Sequence, residues 1–185
     1  MPSELTDGSV RIRPYRPDDI PRLFAAARES IAEIYPWMEW CHPAYSVEDS
    51  SSWVMGRDAA WNAGTDYSFA ICEAQTDAFL GGAGLNQLNH LHRFANLGYW
   101  VRTAGTQRGV ATAATRLVAR FGFETLHLHR VEIVASVDNH ASQRVAEKAG
   151  AIREGVLRNR LLLHGQMHAA VMFSMIPNDL DLLHT

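Results

Sequence analysis

The chain has 185 residues, of which 47% are hydrophobic and 20% are charged, and this composition predicts a single domain over residues 1–185 with a core at about residues 9–177. The net charge of −3 argues against a nucleic-acid partner bound through a broad basic surface, and every apolar run is too short to cross a membrane. No secretory signal is visible, and the only cysteines are Cys41 and Cys72, so we expect a cytoplasmic protein with free thiols and no membrane partner.

Seven stretches have the alternating or β-branched pattern of strands. In chain order they are Val10–Arg13, Tyr67–Glu73, Phe79–Leu85, Phe94–Arg102, Arg130–Val137, Ile152–Leu163 and His168–Ile176. Glycines at positions 81, 82 and 84 interrupt the third stretch and indicate a bulge or a close backbone approach. The last two stretches flank His164-Gly165, which predicts an antiparallel hairpin.

Four stretches carry apolar residues at helical spacing. The predicted helices begin near Asp18, Ser46, Gln107 and Asn139. Ser46 and Asp49 approximate a capping box for the second helix, which we expect to end at about Ala63. Asn139 is the predicted cap of the fourth helix, which stops at Gly150. The order β-α-α-β-β-β-α-β-α-β-β predicts an α+β fold around one mixed sheet.

The loop that joins the fourth predicted strand to the third helix is the most informative segment. It contains Gly105 and Gly109, and small residues follow at the start of the helix. Backbone N–H groups at a helix start have no partner within the helix, and the helix dipole is positive there. The loop therefore predicts a phosphate site; an ordinary strand-to-helix turn is the alternative, because short glycine motifs are common.

Three groups of motifs span most of the chain. They are Leu97–Val101 with Arg108–Thr112; Arg130–Glu132 with Asp138–Ser142, Glu147–Gly150 and Glu154–Gly155; and Ile34–Trp40. In this order the chain resembles GNAT-type N-acetyltransferases, closest to the RimJ/RimL-like branch that includes acetyltransferases of ribosomal-protein N-termini. The resemblance implies a mixed, mostly antiparallel seven-stranded sheet with flanking helices and two splayed central parallel strands.

The resemblance also implies that acetyl-CoA is the co-substrate and lies between the splayed strands. The residues that it assigns to the cofactor are Trp100, Val101, Gln107, Arg108, Gly109, Val110, Ala111, Thr112, Asn139 and Ser142. The pyrophosphate would contact backbone N–H groups of the loop. A backbone N–H near Trp100 or Val101 would stabilise the oxyanion.

Ser142 is the implied proton donor to the departing thiolate. A tyrosine has this role in many relatives, but no tyrosine lies between Val101 and the C-terminus. The glutamate and aspartate that some relatives carry near the end of the fold align with Leu161 and Ala169, so the general base is open. The candidate bases are Glu132, Glu39, His90 and His92.

Each candidate base also has a structural interpretation. Glu132 is expected to be a strand-edge carboxylate paired with an arginine, and Glu39, His90 and His92 are expected to be solvated loop residues. Catalysis without a dedicated base, with water taking the proton, is a further alternative. The histidine pairs at 90 and 92 and at 127 and 129 lack the additional ligands of a metal site, so we predict no metal.

The predicted acceptor is a primary amine, either a protein N-terminus or a small molecule such as a polyamine, an amino acid or an amine antibiotic. Trp37, Trp40 and Trp53 are candidates for an acceptor pocket, although aromatic residues at such positions more often pack in the core or in a lid. A homodimer is one predicted assembly, since dimers are common among relatives.

A second hypothesis for the function is a catalytically silent acyl-CoA sensor. A nucleotide binder of the dinucleotide fold is disfavoured, because no Gly-x-Gly-x-x-Gly follows the first strand.

Overall fold

The computed structural model describes residues 4–181, so the ends of the predicted domain, residues 1–3 and 182–185, lie outside it. The strands are β1 (Leu5–Thr6), β2 (Val10–Pro14), β3 (Tyr67–Glu73), β4 (Phe79–Asn89), β5 (Phe94–Val101), β6 (Arg130–Ser136), β7 (Ile152–Leu163) and β8 (Gln166–Met175). The prediction of seven strands was wrong by one. The additional strand is β1, whose two residues pair with β2 and are too few to show an alternating pattern.

The helices are α1 (Ile20–Glu29), α2 (Ile31–Ile34), α3 (Val47–Met55), α4 (Arg57–Asn62), α5 (Val110–Glu124), α6 (His140–Ala149) and α7 (Pro177–Asp181). The predicted second helix is interrupted at Gly56 and forms α3 and α4. Its capping box is present, with the Asp49 amide donating to Ser46 Oγ at 3.2 Å. The helix predicted from Gln107 begins instead at Val110, because Gln107 and Gly109 have left-handed φ angles of 60° and 78°.

The described strands form one sheet in the order β1-β2-β3-β4-β5-β6-β8-β7. Helix α5 packs on one face, where Leu117, Val118 and Phe121 meet the buried side chains of the central strands. Helices α1 and α3 cover part of the other face. A buried ion pair joins β2 to the start of α1: Arg13 donates to both Asp19 carboxylate oxygens, at 2.7 and 2.8 Å.

Strands β5 and β6 are parallel neighbours that pair over only part of their length. Their pairing runs from Phe94 opposite Arg130 to Asn96 opposite Glu132. Beyond Asn96, β5 still pairs with β4 as far as Val101, and β6 pairs with β8 as far as Ser136. The two strands therefore diverge, which confirms the predicted splay and leaves one edge of β5 open at its C-terminal end.

Candidate active site

A cavity of about 470 Å³ opens at the divergence of β5 and β6, and we call it the gap cavity. Nine of the ten residues predicted for the cofactor line it: Trp100, Val101, Gln107, Gly109, Val110, Ala111, Thr112, Asn139 and Ser142. Arg108 is the exception, because its side chain pairs with Glu73 at 3.0 Å. Arg108 therefore does not line the cavity, although its neighbours Gln107 and Gly109 do.

The loop before α5 presents its backbone to the gap cavity. Gly109 is the N-cap of α5, and because glycine has no side chain, no side-chain cap hydrogen bond forms there. A Cβ added at Gly109 would meet no atom within 4 Å, so the space above this glycine is open. The first N–H groups of α5 have no partner within the helix, and together with the helix dipole they form a cradle suited to phosphate.

Two cations that sequence reasoning missed also line the gap cavity. Arg144 and Lys148 lie four residues apart on α6, so they share one face of that helix. Lys148 is the only lysine of the chain. The four-residue spacing was visible in the sequence, but only the packing of α6 beside the loop shows that this face meets the cavity.

Tyr99 joins the open edge of β5 to the start of α6. Its Oη donates to the Ser142 carbonyl oxygen at 2.8 Å and lies 3.1 Å from Ser142 Oγ. Burial raises the pKa of Tyr99 to about 12, so the phenol stays protonated at neutral pH. Asn139 caps α6 as predicted, since its side chain accepts from the Ser142 amide at 3.1 Å.

Tyr99 was not among the residues predicted for proton donation, because a tyrosine in this role was expected after Val101 and Tyr99 comes just before the loop. Alternation along β5 was the available signal. Leu97 is buried in the core on the α5 side, and Tyr99 and Val101 pack against the same cluster. A tyrosine with this parity at the end of the strand is thus directed to the side where α6 begins.

Backbone direction distinguishes the two residues predicted to supply the oxyanion donor. The Arg102 amide donates to the Leu80 carbonyl oxygen at 2.8 Å, toward β4. Because N–H directions alternate along a strand, the Trp100 amide also points to β4. The Val101 amide points to the open edge, so it fits the role better than the Trp100 amide does.

A second cavity, of about 660 Å³, lies on the face of β4 and β5 that α1 and α3 cover, and we call it the aromatic cavity. Six tyrosine and tryptophan residues line it: Tyr15, Trp40, Tyr45, Trp53, Tyr99 and Trp100. Glycines 82, 84 and 98 leave the strand backbone bare beneath them. Of the predicted pocket tryptophans, Trp40 and Trp53 line the aromatic cavity and Trp37 lines the gap cavity.

The two cavities meet at the end of β5. Met38, Tyr99 and Trp100 line both of them. A reactive group at the inner end of the gap cavity would therefore be accessible from the aromatic cavity. This arrangement can bring two substrates together at the open edge of one strand.

Two carboxylates line the aromatic cavity, and both are engaged. Asp66 accepts from Ser68 Oγ and pairs with Arg57 at 3.3 Å. Asp49 accepts from the Ser46 amide at 2.8 Å and from the Ser46 hydroxyl at 2.9 Å, and these bonds lower its pKa.

None of the four candidate bases lines either cavity. Glu132 accepts from Arg130 Nε at 2.8 Å, which confirms its interpretation as a carboxylate paired with an arginine. Glu39 accepts from the His164 amide in the β7–β8 turn. His90 and His92 are exposed in the turn between β4 and β5. Among residues 4–181, no group of three or more potential ligands is placed to hold a metal ion.

Comparison with known proteins gives a consistent family. Residues 9–152 match the family model described as an acetyltransferase (GNAT) domain. YdaF of Bacillus subtilis (strain 168), named as a candidate ribosomal N-acetyltransferase, is 33% identical over 117 residues, which are 63% of this chain and 60% of YdaF. The chain therefore matches less than two thirds of the length of that relative.

Two further comparisons cover more of the chain. The spermidine N(1)-acetyltransferase of Escherichia coli (strain K12) is 24% identical over 164 residues, 88% of this chain and 83% of the relative. A Vibrio cholerae structure, described as a candidate ribosomal-protein-serine acetyltransferase, is 27% identical with a TM-score of 0.79, and the match covers 94% of this chain and 97% of that one.

These matches test the interpretation made from the motifs. In the part of the chain that the structure describes, no helix combines the length and apolar character needed to cross a membrane. The family match spans most of the chain, and it confirms the predicted fold and the acetyltransferase class. The chain belongs to the GNAT family of acetyltransferases, and its named relatives support the RimJ/RimL-like branch within it.

Proposed function

We propose that this protein transfers the acetyl group of acetyl-CoA directly to a primary amine, with the cofactor in the gap cavity and the amine in the aromatic cavity. The observation that carries the proposal is the junction of the two cavities at Tyr99 and Trp100, beside the open edge of β5. A thioester carbonyl at this junction would face the amine on one side and the Val101 amide on the other.

The residues of the gap cavity fit coenzyme A. The open backbone at Gly109 and the free N–H groups of the first turn of α5 suit the pyrophosphate. Arg144 and Lys148 supply positive charge for phosphate oxygens from the α6 side. The open edge of β5 can hydrogen bond the amides of the pantetheine arm as an added strand would.

The acetyl thioester supplies an activated acyl group when it is bound. The amine nitrogen bonds to the acyl carbon and the carbon–sulfur bond breaks, while the amine proton passes to water. Ser142 Oγ gives its proton to the sulfur, the Tyr99 hydroxyl turns from the Ser142 carbonyl oxygen to replace that proton across 3.1 Å, and the Tyr99 oxygen takes a proton back from water. The Val101 amide stabilises the negative charge on the acyl oxygen.

The acceptor is a protein N-terminus or a small-molecule amine. Relatives named for ribosomal proteins and for spermidine support an amine, and the size of the aromatic cavity suits a chain end or a compact molecule.

A cytoplasmic location belongs to the proposal and is supported by two buried free cysteines. Exposed Ile152, Val156 and Leu162 on the edge strand β7 support a homodimer.

One observation favours the second hypothesis, a catalytically silent acyl-CoA sensor. The candidate bases Glu132, Glu39, His90 and His92 all lie outside the two cavities. Release of coenzyme A in the presence of a panel of primary amines discriminates the two functions. Turnover with any amine supports the enzyme, whereas tight acetyl-CoA binding without turnover on any amine supports the sensor.

The cofactor placement is tested with Gly109→Glu. The new side chain adds a negative charge at the phosphate cradle and strain at a φ of 78°, so we expect acetyl-CoA binding to be lost in calorimetry. Gly8→Glu is the matched control, because Gly8 also has a positive φ and open space around it but lies in the β1–β2 turn. Unchanged affinity in Gly109→Glu would contradict the placement.

A further inference from the structure

The aromatic cavity contains an arginine that already lies over the face of one of its tryptophans, where a ligand cation would otherwise bind. The Arg57 guanidinium carbon lies 3.6 Å from the centroid of the Trp53 ring, and Arg57 Nε donates to the Trp53 carbonyl oxygen at 3.0 Å. A cation over a tryptophan face is attracted by the electrons of the ring. Arg57 already makes this contact, so a ligand ammonium group would meet a positive charge there.

The carboxylates of the aromatic cavity offer little compensation to a second ligand cation. Asp66 is neutralised by Arg57 and also accepts from Ser68. Asp49 is the N3 residue of the capping box of α3, and its Oδ2 accepts both bonds from Ser46. The arginine and aspartate side chains that line this cavity are therefore already paired or engaged, and the His42 ring packs against the Tyr45 ring.

The remaining surface of the cavity suits a flat apolar group. Trp40 lies edge-on to Trp100 at 5.3 Å and to Tyr45 at 5.6 Å between ring centroids. The bare backbone at Gly98, where a Cβ would meet no atom within 4 Å, leaves room beside these rings. Aromatic walls around open space favour a planar group that can stack or pack edge-on.

We propose that the aromatic cavity selects amines that carry a planar apolar group and no second positive charge. This inference rests on the proposed function for its assignment of the cavity to the acceptor. Arg57 is the determinant that excludes diamines, and the aromatic side chains are the determinants that favour the planar group.

Two amines with the same four-carbon arm test this selectivity. 4-Phenylbutylamine ends in a ring, whereas 1,4-diaminobutane ends in a second ammonium group. With saturating acetyl-CoA, we expect kcat/KM to be about tenfold or more higher for 4-phenylbutylamine, since tenfold corresponds to about 1.4 kcal/mol. An equal or higher kcat/KM for 1,4-diaminobutane would overturn the proposal.

The variant Arg57→Gln removes the competing cation and frees Asp66. We expect kcat/KM for 1,4-diaminobutane to rise about tenfold in this variant, while the value for 4-phenylbutylamine changes less. Arg22→Gln is the matched control, because Arg22 pairs with Asp77 away from both cavities. Equal preferences in the two variants would contradict the role of Arg57.

Calorimetric binding of both amines to the protein loaded with coenzyme A separates this inference from the proposed enzyme activity. Tighter binding of 4-phenylbutylamine supports the selectivity even if no amine is turned over. Absence of turnover would contradict only the proposed enzyme activity. Tighter binding of 1,4-diaminobutane, or binding of neither amine, overturns the selectivity even if other amines are acetylated.

Discussion

Tyr99 and Ser142 form one hydrogen-bonded unit at the residue scale, because a single phenol contacts both the carbonyl oxygen and the hydroxyl of Ser142. A serine hydroxyl alone is a poor acid. A phenol with a pKa of about 12 is a better proton source and remains protonated across the physiological range. In the proposed mechanism this pair supplies the proton, although no tyrosine lies between Val101 and the C-terminus.

Removing either hydroxyl should slow the chemical step without weakening the binding of acetyl-CoA. We expect Tyr99→Phe and Ser142→Ala each to lower kcat about 10²-fold or more, with little change in the Kd for acetyl-CoA. The double variant should lose no more than the worse single variant, since the two groups form one proton path. Steady-state rates and calorimetry on the four proteins measure this cycle.

Tyr67→Phe is the matched control for the Tyr99 variant, because Tyr67 packs in the core against Trp61 and lies outside both cavities. Wild-type turnover in Tyr99→Phe, or losses that multiply fully in the double variant, would remove the shared role. A loss of acetyl-CoA affinity equal to the loss of kcat would indicate a purely structural effect.

Most of the residues predicted for the cofactor line the gap cavity, and many of them are contiguous in the loop before α5 and in its first turn. Between Gln107 and Thr112, a glycine and adjacent small side chains predict a phosphate site made by the backbone, and this signal lies within six consecutive residues. The residues of the aromatic cavity, where we propose that the acceptor binds, are not contiguous in the sequence. Arg57, Asp66 and Trp100 come from separate parts of the chain, and their shared cavity depends on how α3 packs over the sheet.

The end of the sheet depends on a network around Arg130 at the scale of elements. Arg130 at the start of β6 donates to Glu154 on β7 at 2.7 Å and to Glu132 at 2.8 Å. Ser174 on β8 donates to the same Glu154 oxygen at 2.7 Å. Arg130 and Ser174 hold the pKa of Glu154 at about 2, below the ordinary value of 4.5.

A lowered carboxylate pKa stabilises the folded state above the ordinary pKa, and the contribution is lost as the pH falls toward 2. We expect Glu154→Gln to lower Tm at pH 7 by about 2–4 °C, because a partly exposed network contributes about 1 kcal/mol. The difference from wild type should shrink between pH 5 and pH 2. Thermal melts at several pH values measure both effects.

Glu124→Gln is the control for this experiment, since Glu124 is highly exposed and lies 3.9 Å from Arg120. We expect little change in its Tm at any pH. A difference between Glu154→Gln and wild type that persists undiminished at pH 2 would contradict the electrostatic explanation, because about half of Glu154 is then protonated in the folded state and most of the stabilisation by its charge is lost.

The elements themselves followed closely from periodicity. The hairpin β7–β8 and the cap and stop of α6 were predicted at or near their observed ends because alternation, Asn139 and Gly150 are strong local signals. The break at Gly56 was missed, since an isolated glycine in a helical pattern does not by itself end a helix. The extra strand β1 depends on its pairing with β2, which local sequence does not encode.

The whole molecule provides two cavities that share one junction, and this geometry favours direct transfer over a covalent acetyl-enzyme. Both cysteines are buried, and burial raises the pKa of Cys41 and of Cys72 to about 11. Their thiols therefore stay protonated and weakly nucleophilic at neutral pH. Neither cysteine lines a cavity.

We accordingly expect initial rates measured against both substrates to give intersecting double-reciprocal lines, as a ternary complex requires. Incubation with acetyl-CoA alone should leave the mass of the protein unchanged, because no residue has to carry the acetyl group between the cavities. The variant Cys41→Ser with Cys72→Ser should keep its turnover if it folds, and a melt of the same sample checks the fold. Parallel lines together with an acetyl adduct in the absence of amine would instead require a relay residue, and the junction at Tyr99 and Trp100 would then not be the place where the two substrates meet.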